Sequence, residues 1–252
     1  MDFSKYRERI NRSGENVGDA LSNNTIAFIE STFSDSTTFR KLGVTSYENP
    51  DITEMDARVV EVERMGSLRE ILFRPTSKGL REGTIVTFDD HKWLIFDRFS
   101  NTKVTAEQCN RKLKWIDRNG VLQEFDCVAS SSDLGSKAKQ SRGEIQFNQY
   151  DVSLPLGQLY VFVELRPETA TIKLNQRFIF GSNVYEVTGI DDTTVVREIG
   201  DSEYGVLQLT IKITTIKEED NFDTKVAYNE YKDQSTVTPT EGNDGDNGGR
   251  IW

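Results

Sequence analysis

The chain has 252 residues, 31 of them Lys or Arg and 41 Asp or Glu, so its net charge is −10 at pH 7. That balance argues against a protein that wraps nucleic acid, whose footprint is a basic stripe, and leaves open an acidic pore wall that DNA slides past. Two cysteines and one histidine give almost no material for a zinc site, and no apolar run reaches the roughly 18 residues that a membrane helix needs.

The N-terminus, Met1-Asp2-Phe3-Ser4-Lys5, lacks the basic-then-apolar layout of a secretory signal. A soluble chain made in the cytoplasm is expected. Phe3, Tyr6 and Ile10 fall at helical spacing among charges, which predicts one short amphipathic helix over 2–12. From 15 to 51 the large apolar residues are scattered among Ser, Thr, Asn and Asp without the density of a core. Such a stretch cannot offset its own ordering entropy unless it docks on something. Two readings stay open: an extended arm whose aromatic residues, Phe28, Phe33, Phe39 and Tyr47, form an interface with another surface, or a loop folded back on its own chain.

Alternation then predicts strands over 57–65 and 70–73, the second stopped by Arg74-Pro75, since proline cannot donate to a ladder. A hairpin follows, and then strands over 108–117 and 122–128 joined by the turn signal Asn119-Gly120. Residues 129–143 are small and polar with three positive charges, the composition of a linker or mobile surface loop. Further strands are predicted over 158–165, 171–174, 177–180, 184–190, 194–199 and 206–217. Residues 233–252 are rich in Thr, Gly, Asn and Asp, which predicts a disordered acidic tail.

One pattern occurs twice. Phe73-Arg74-Pro75, Val86, Phe88, Trp93 and Ile95 recur as Leu165-Arg166-Pro167, Phe178, Phe180, Tyr185 and Val187, each pair separated by the same interval in the numbering. Each copy is an Arg-Pro stop, two apolar residues one apart, a polar loop (89–92 and 181–184), then an aromatic and an aliphatic residue one apart. Residues i and i+2 share a face of a strand, so each copy reads as a hairpin with one buried side. The fold class expected is mainly β: two tandem small β-barrel or β-sandwich units with a short N-terminal helix and an extended arm. The expected boundaries are 1–52 for helix and arm, 53–128 for the first β-domain, 129–143 for the linker, 144–232 for the second β-domain and 233–252 for the tail.

No constellation for catalysis stands out. The chain has no phosphate loop, no nucleophile elbow and no metalloprotease motif, and His91 sits in a hairpin turn with no orienting partner. The adjacent acids Asp89/Asp90, Asp191/Asp192 and Glu218/Glu219/Asp220 read as solvated turns rather than a facing pair or a calcium loop. Cys109 and Cys127 read as free buried thiols, with a disulfide the lesser alternative. Trp93, Trp115 and Tyr185 fall at inward parity, so core packing outweighs a stacking platform. No catalytic residue, metal or cofactor is expected, and the chain is not expected to be an enzyme.

At Leu72-Phe73-Arg74-Pro75, Trp93-Leu94-Ile95-Phe96 and Cys109-Asn110-Arg111-Lys112-Leu113-Lys114-Trp115 the sequence resembles virion structural proteins of tailed phages that infect Gram-positive bacteria. The likeness continues at Asn175-Gln176-Arg177-Phe178, at Val184-Tyr185-Glu186-Val187, over 205–215 and at Asp220-Asn221, and spans 16–230. The resemblance implies a head-tail connector, neck or collar component of the virion. Such a part forms a homo-oligomeric ring, a dodecamer or a hexamer, around the DNA ejection channel, contacts portal and tail proteins, lets packaged DNA pass without sequence-specific binding, and has no membrane partner. A closed ring has heterologous interfaces, so one arm per subunit could clasp its neighbour or cap an exposed sheet edge. The alternative from another class is a receptor- or glycan-binding β-module on a virion tail, which outward-facing aromatic residues in a groove would favour.

Overall fold

The computed structural model describes residues 16–62, 66–77, 79–100, 102–131, 157–192, 196–199 and 202–230. The helix expected over 2–12, most of the 129–143 linker and the 233–252 tail lie outside them. Asn16 starts α1 (Val17–Thr32) by accepting the Asp19 N–H on its side-chain oxygen at 2.9 Å, which satisfies one of the donors a helix start leaves open. At the other end Arg58 donates to the carbonyls of Thr32 and Phe33 at 2.8 and 3.0 Å. No extended arm forms over 16–51. A helix, a 3₁₀ turn (Phe33–Asp35) and strand β1 (Phe39–Thr45) occupy it instead. The strand forms because Leu42 and Val44, two residues apart, both face a core, at 0% and 8% exposure.

Strands β1, β2 (Glu54–Glu61), β3 (Leu68–Phe73), β4 (Ile85–Phe88), β5 (His91–Ser100) and β6 (Lys103–Gln108) make a closed barrel in the order β1-β2-β3-β6-β5-β4. It closes where β1 pairs with β4 at Gly43–Thr87, Val44–Val86 and Thr45–Ile85. Leu42, Ile71, Phe73, Val86, Trp93 and Ile95 fill its centre. The second body uses β7 (Arg111–Ile116), β8 (Leu122–Ser130), β9 (Gln158–Glu164), β10 (Arg177–Phe180), β11 (Asn183–Asp191) and β13 (Ser202–Thr214), in the order β10-β11-β13-β9-β8-β7, with β12 (Val196–Ile199) paired on β13. Replacing β1 to β6 by β7, β8, β9, β10, β11 and β13 turns one order into the other. The molecule is mainly β, two barrel-like sheets in tandem, each built on one six-strand pattern.

The repeated hairpin is conserved down to its rungs. Val86 opposes Trp93 in β4–β5, and Phe178 opposes Tyr185 in β10–β11. The ring pair Phe88–Trp93 lies 5.0 Å apart, and its counterpart Phe180–Tyr185 lies 6.0 Å apart. The turns are tighter than the polar loops suggested, because Phe88 pairs with His91 and Phe180 with Asn183, leaving two residues in each. Asp89 and Asp90 both take positive φ, at 47° and 61°, the geometry whose twist matches flanking strands in a two-residue hairpin.

The domain boundary differs from the expected one. The strands over 108–128 belong to the second body: β8 pairs with β9 at Cys127–Val163 and Val128–Phe162, and Leu113, Trp115 and Cys127 pack with Phe178, Val187 and Leu209. The change of barrel falls at Cys109-Asn110, between β6 and β7. Two residues carry no linker signal, whereas the conspicuous polar stretch is an insertion between β8 and β9 inside the second body. Residues 171–174 are not a strand either. Thr169 accepts the Arg166 N–H and donates to the Glu164 carbonyl, both at 2.8 Å, and winds the chain into a 3₁₀ turn (Thr169–Thr171).

Each barrel has its own core, and a third apolar cluster joins them: Ile85 and Leu94 from the first, Val128, Phe162 and Val206 from the second. Beside it Gly83, at φ 91°, lies so close to Gly205 that a β-carbon on Gly83 would sit 2.1 Å from the Gly205 carbonyl oxygen. Arg81 stacks 4.6 Å over Tyr204 and forms an ion pair with Glu48. Glu164 accepts the Tyr47 N–H at 2.8 Å and the Arg166 Nε–H at 2.6 Å. Burial pushes its carboxyl above the usual range against these two donors.

Candidate interaction surfaces

The four aromatic residues picked out as interface candidates part company. Phe33 is 2% exposed and lies between the guanidinium groups of Arg58 and Arg74, each 4.7 Å from its ring centre, with Phe39 edge-on at 6.3 Å. Arg74 also bonds Glu30, Ser34 and Asp56. Glu30 in turn accepts the backbone N–H and hydroxyl of Thr76, which together with Arg74 lower its carboxyl. Phe33 and Phe39 therefore bolt the C-terminal end of α1 to its own barrel. Tyr47 sits at the junction between barrels, its ring 6.0 Å from Arg166.

Phe28 remains outward at 68% exposure, with Leu21 at 64% seven residues earlier on the same helix face. Glu30, two residues from Phe28, points the opposite way and holds the barrel. The Leu21–Phe28 face thus looks away from the chain's own core. Leu21 was missed in the sequence, where its seven-residue spacing from Phe28 was the available signal. A second apolar patch, also missed, lies at the end of the β7–β8 hairpin, where Ile116, Val121 and Leu122 are about half exposed.

Among the described residues no group of three or more His, Cys, Asp or Glu is placed to hold a metal. Asp220 is no solvated turn residue: its side chain is fully buried against Arg177, with oxygens 3.0 and 2.8 Å from the guanidinium. It also accepts the N–H groups of Lys217 and Tyr228. Burial raises its carboxyl, but these donors together bring it below the usual value. Cys109 and Cys127 are free thiols. Burial pushes Cys109 up to about 12 and Cys127 well above its ordinary value, which disfavours the thiolate at both.

Two of the hollows on the second barrel bear on its surface chemistry. One, of about 460 Å³, lies over Trp115, Arg118, Lys173 and Gln176. Trp115 is 1% exposed, so it floors this hollow without offering a stacking face. The other, of about 690 Å³, opens between β7 and β10 and is lined by Arg111, Lys112, Lys114, Phe180 and Lys225. Lys112 and Lys114 both bond Glu124 there and hold its carboxyl down at about 2.

Residues 111–212 match the model of the YomX C-terminal domain family. The match opens on the first residue of β7 and closes near the end of β13, so it covers the second barrel as the strands delimit it. This segment is similar to a phage-associated domain family. No curated protein and no solved structure matches the chain.

Proposed function

We propose that the chain is a structural protein of a phage virion, placed at the head-tail joining region (the neck, collar or head closure). There it forms a homo-oligomeric ring around the DNA channel and bridges portal to tail. In this reading it works by shape and contact, carries no catalysis, and is located in the virion. The observation that carries it is the outward face of α1: a helix fastened to its own barrel at one end, with Leu21 and Phe28 presented away from it. A helix of 16 residues rich in Ser, Asn and Thr is marginal in water without tertiary contacts. A neighbouring subunit supplies them. The phage-associated match over the second barrel supports the setting, and the net charge of −10 suits a channel that DNA must not stick to.

Light scattering of the purified chain, alone and mixed with portal protein, tests the proposal. Closed oligomers are expected, and the double substitution Leu21→Ser, Phe28→Ser is expected to return them to monomer while the sheet signal in circular dichroism shows both barrels still folded. A chain that stays monomeric under every one of these conditions overturns the assignment.

A further inference from the structure

The two barrels share one strand order but differ at one place. The first is sealed by the β1–β4 ladder, whereas the corresponding strands of the second, β7 and β10, form no ladder. They are held side by side at one end by Trp115 against Phe178, ring centres 6.0 Å apart. Towards Lys112 and Gly181 they part around the 690 Å³ hollow.

The backbone on both sides of this seam is turned into it. In β10 the two-residue turn makes Phe180–Asn183 a hydrogen-bonded pair, so Arg177 and Ile179 aim their N–H and C=O groups away from β11. At Arg177 those groups are already capped: its N–H donates to the Asn229 side-chain oxygen at 2.6 Å, and its carbonyl accepts the Asn229 amide at 3.0 Å. Asn229 thus imitates one rung of a missing strand. At Ile179 no strand partner follows among the described residues. In β7 the Asp117 N–H bonds the Val121 carbonyl across the hairpin turn, so by the same alternation Lys112 and Lys114 direct their backbone groups away from β8 and into the seam.

The charge of the opening is the reverse of the molecule's. Arg111, Lys112, Lys114 and Lys225 line it with Asp126, and Glu124 beside it pairs with Lys112 and Lys114, so cations outnumber acids there in a chain of net charge −10. Asp126 is paired with Lys92 at 2.6 Å. We propose that this seam is a strand-addition site: it takes an extended acidic segment of another polypeptide, which pairs with the free edge of β7 at Lys112 and Lys114 and sets its carboxylates against the lysine and arginine rim. Backbone pairing supplies the register and the rim selects the charge. This surface is separate from α1, and the inference does not require a ring.

Fluorescence anisotropy of the full chain with the labelled hexapeptide Ac-Glu-Val-Glu-Val-Glu-Val-NH2 tests it. Three results are expected. The peptide binds, its lysine counterpart (Lys in place of each Glu) binds at least about tenfold more weakly, and a version N-methylated at alternate residues loses a similar factor because its donors are blocked. In parallel, the amide protons of Lys112, Lys114 and Ile179 gain protection from exchange when the acidic peptide is added. Absence of binding, equal binding by the lysine peptide, or equal binding by the N-methylated peptide overturns the proposal. So does protection confined to residues outside β7 and β10. Loss of ring assembly in the α1 variant would leave each of these readings unchanged.

Discussion

Gly83 shows what a single hydrogen atom does for this molecule. Its φ of 91° lies where an L side chain is strained, and the space a β-carbon would need is filled by the Gly205 carbonyl oxygen, 2.1 Å away. Gly83 belongs to the turn before β4, and Gly205 lies in β13, whose carbonyl at that point accepts the Leu165 N–H at 3.0 Å. A methyl group at 83 therefore pushes on a backbone that is hydrogen-bonded into the other barrel. Gly83→Ala is expected to cost at least about 2 kcal/mol, more than the usual glycine-to-alanine strain because backbone rather than a mobile side chain must yield. The urea midpoint measures it. A midpoint within experimental error of the parent would mean that the two barrels move apart at no cost.

At the scale of elements, the hairpin and most of the strands around it were legible, whereas β1 and α1 were not, and the difference is physical. β4 and β10 are short and almost wholly buried, and each is joined to the next strand by a two-residue turn, so period, turn and burial all point one way. β1 was hidden because only Leu42 and Val44 of Phe39–Thr45 are buried, diluted by Arg40, Lys41 and Gly43. α1 was hidden because its barrel contacts are made through arginines reaching from β2 and beyond β3, which no local window contains. Asp220 was misread for the same reason: its partner Arg177 is distant in sequence. Glu164, at the end of β9, ties that strand to the first barrel through Tyr47 and carries a pH prediction. Burial raises its folded pKa above the ordinary 4.5. Its contribution is therefore fully present below that value and is lost as pH rises through the folded pKa, because the unfolded chain releases the proton first. Glu164→Gln keeps an acceptor for the Tyr47 N–H and removes the titration. Melting temperatures taken from about pH 4 to about pH 8 are expected to fall less steeply for the glutamine variant than for the parent. Parallel curves would show that Glu164 is not the group responsible.

For the whole molecule, the decisive fact is that the barrels change at Cys109-Asn110 while the polar insertion lies within the second barrel. A boundary at 129–143 would remove β7 and β8 from that barrel, together with Leu113, Trp115 and Cys127, all 1% exposed or less. Deleting an indole from a packed core alone costs about 3–5 kcal/mol, and a domain of this size holds about 5–15 kcal/mol in total. A fragment spanning 129–232 is accordingly expected to be unfolded or molten, with no cooperative transition. A fragment spanning 110–232 is expected to unfold in one step, because it keeps the full strand order and the core that the family match also encloses. It exposes Val128, Phe162 and Val206, which the first barrel normally covers, so its midpoint is expected below that of the intact chain. Calorimetry of the two fragments separates the alternatives: cooperative unfolding of 129–232 would mean that β7 and β8 are an accessory hairpin, and the correspondence between the two barrels would then be one of outline only.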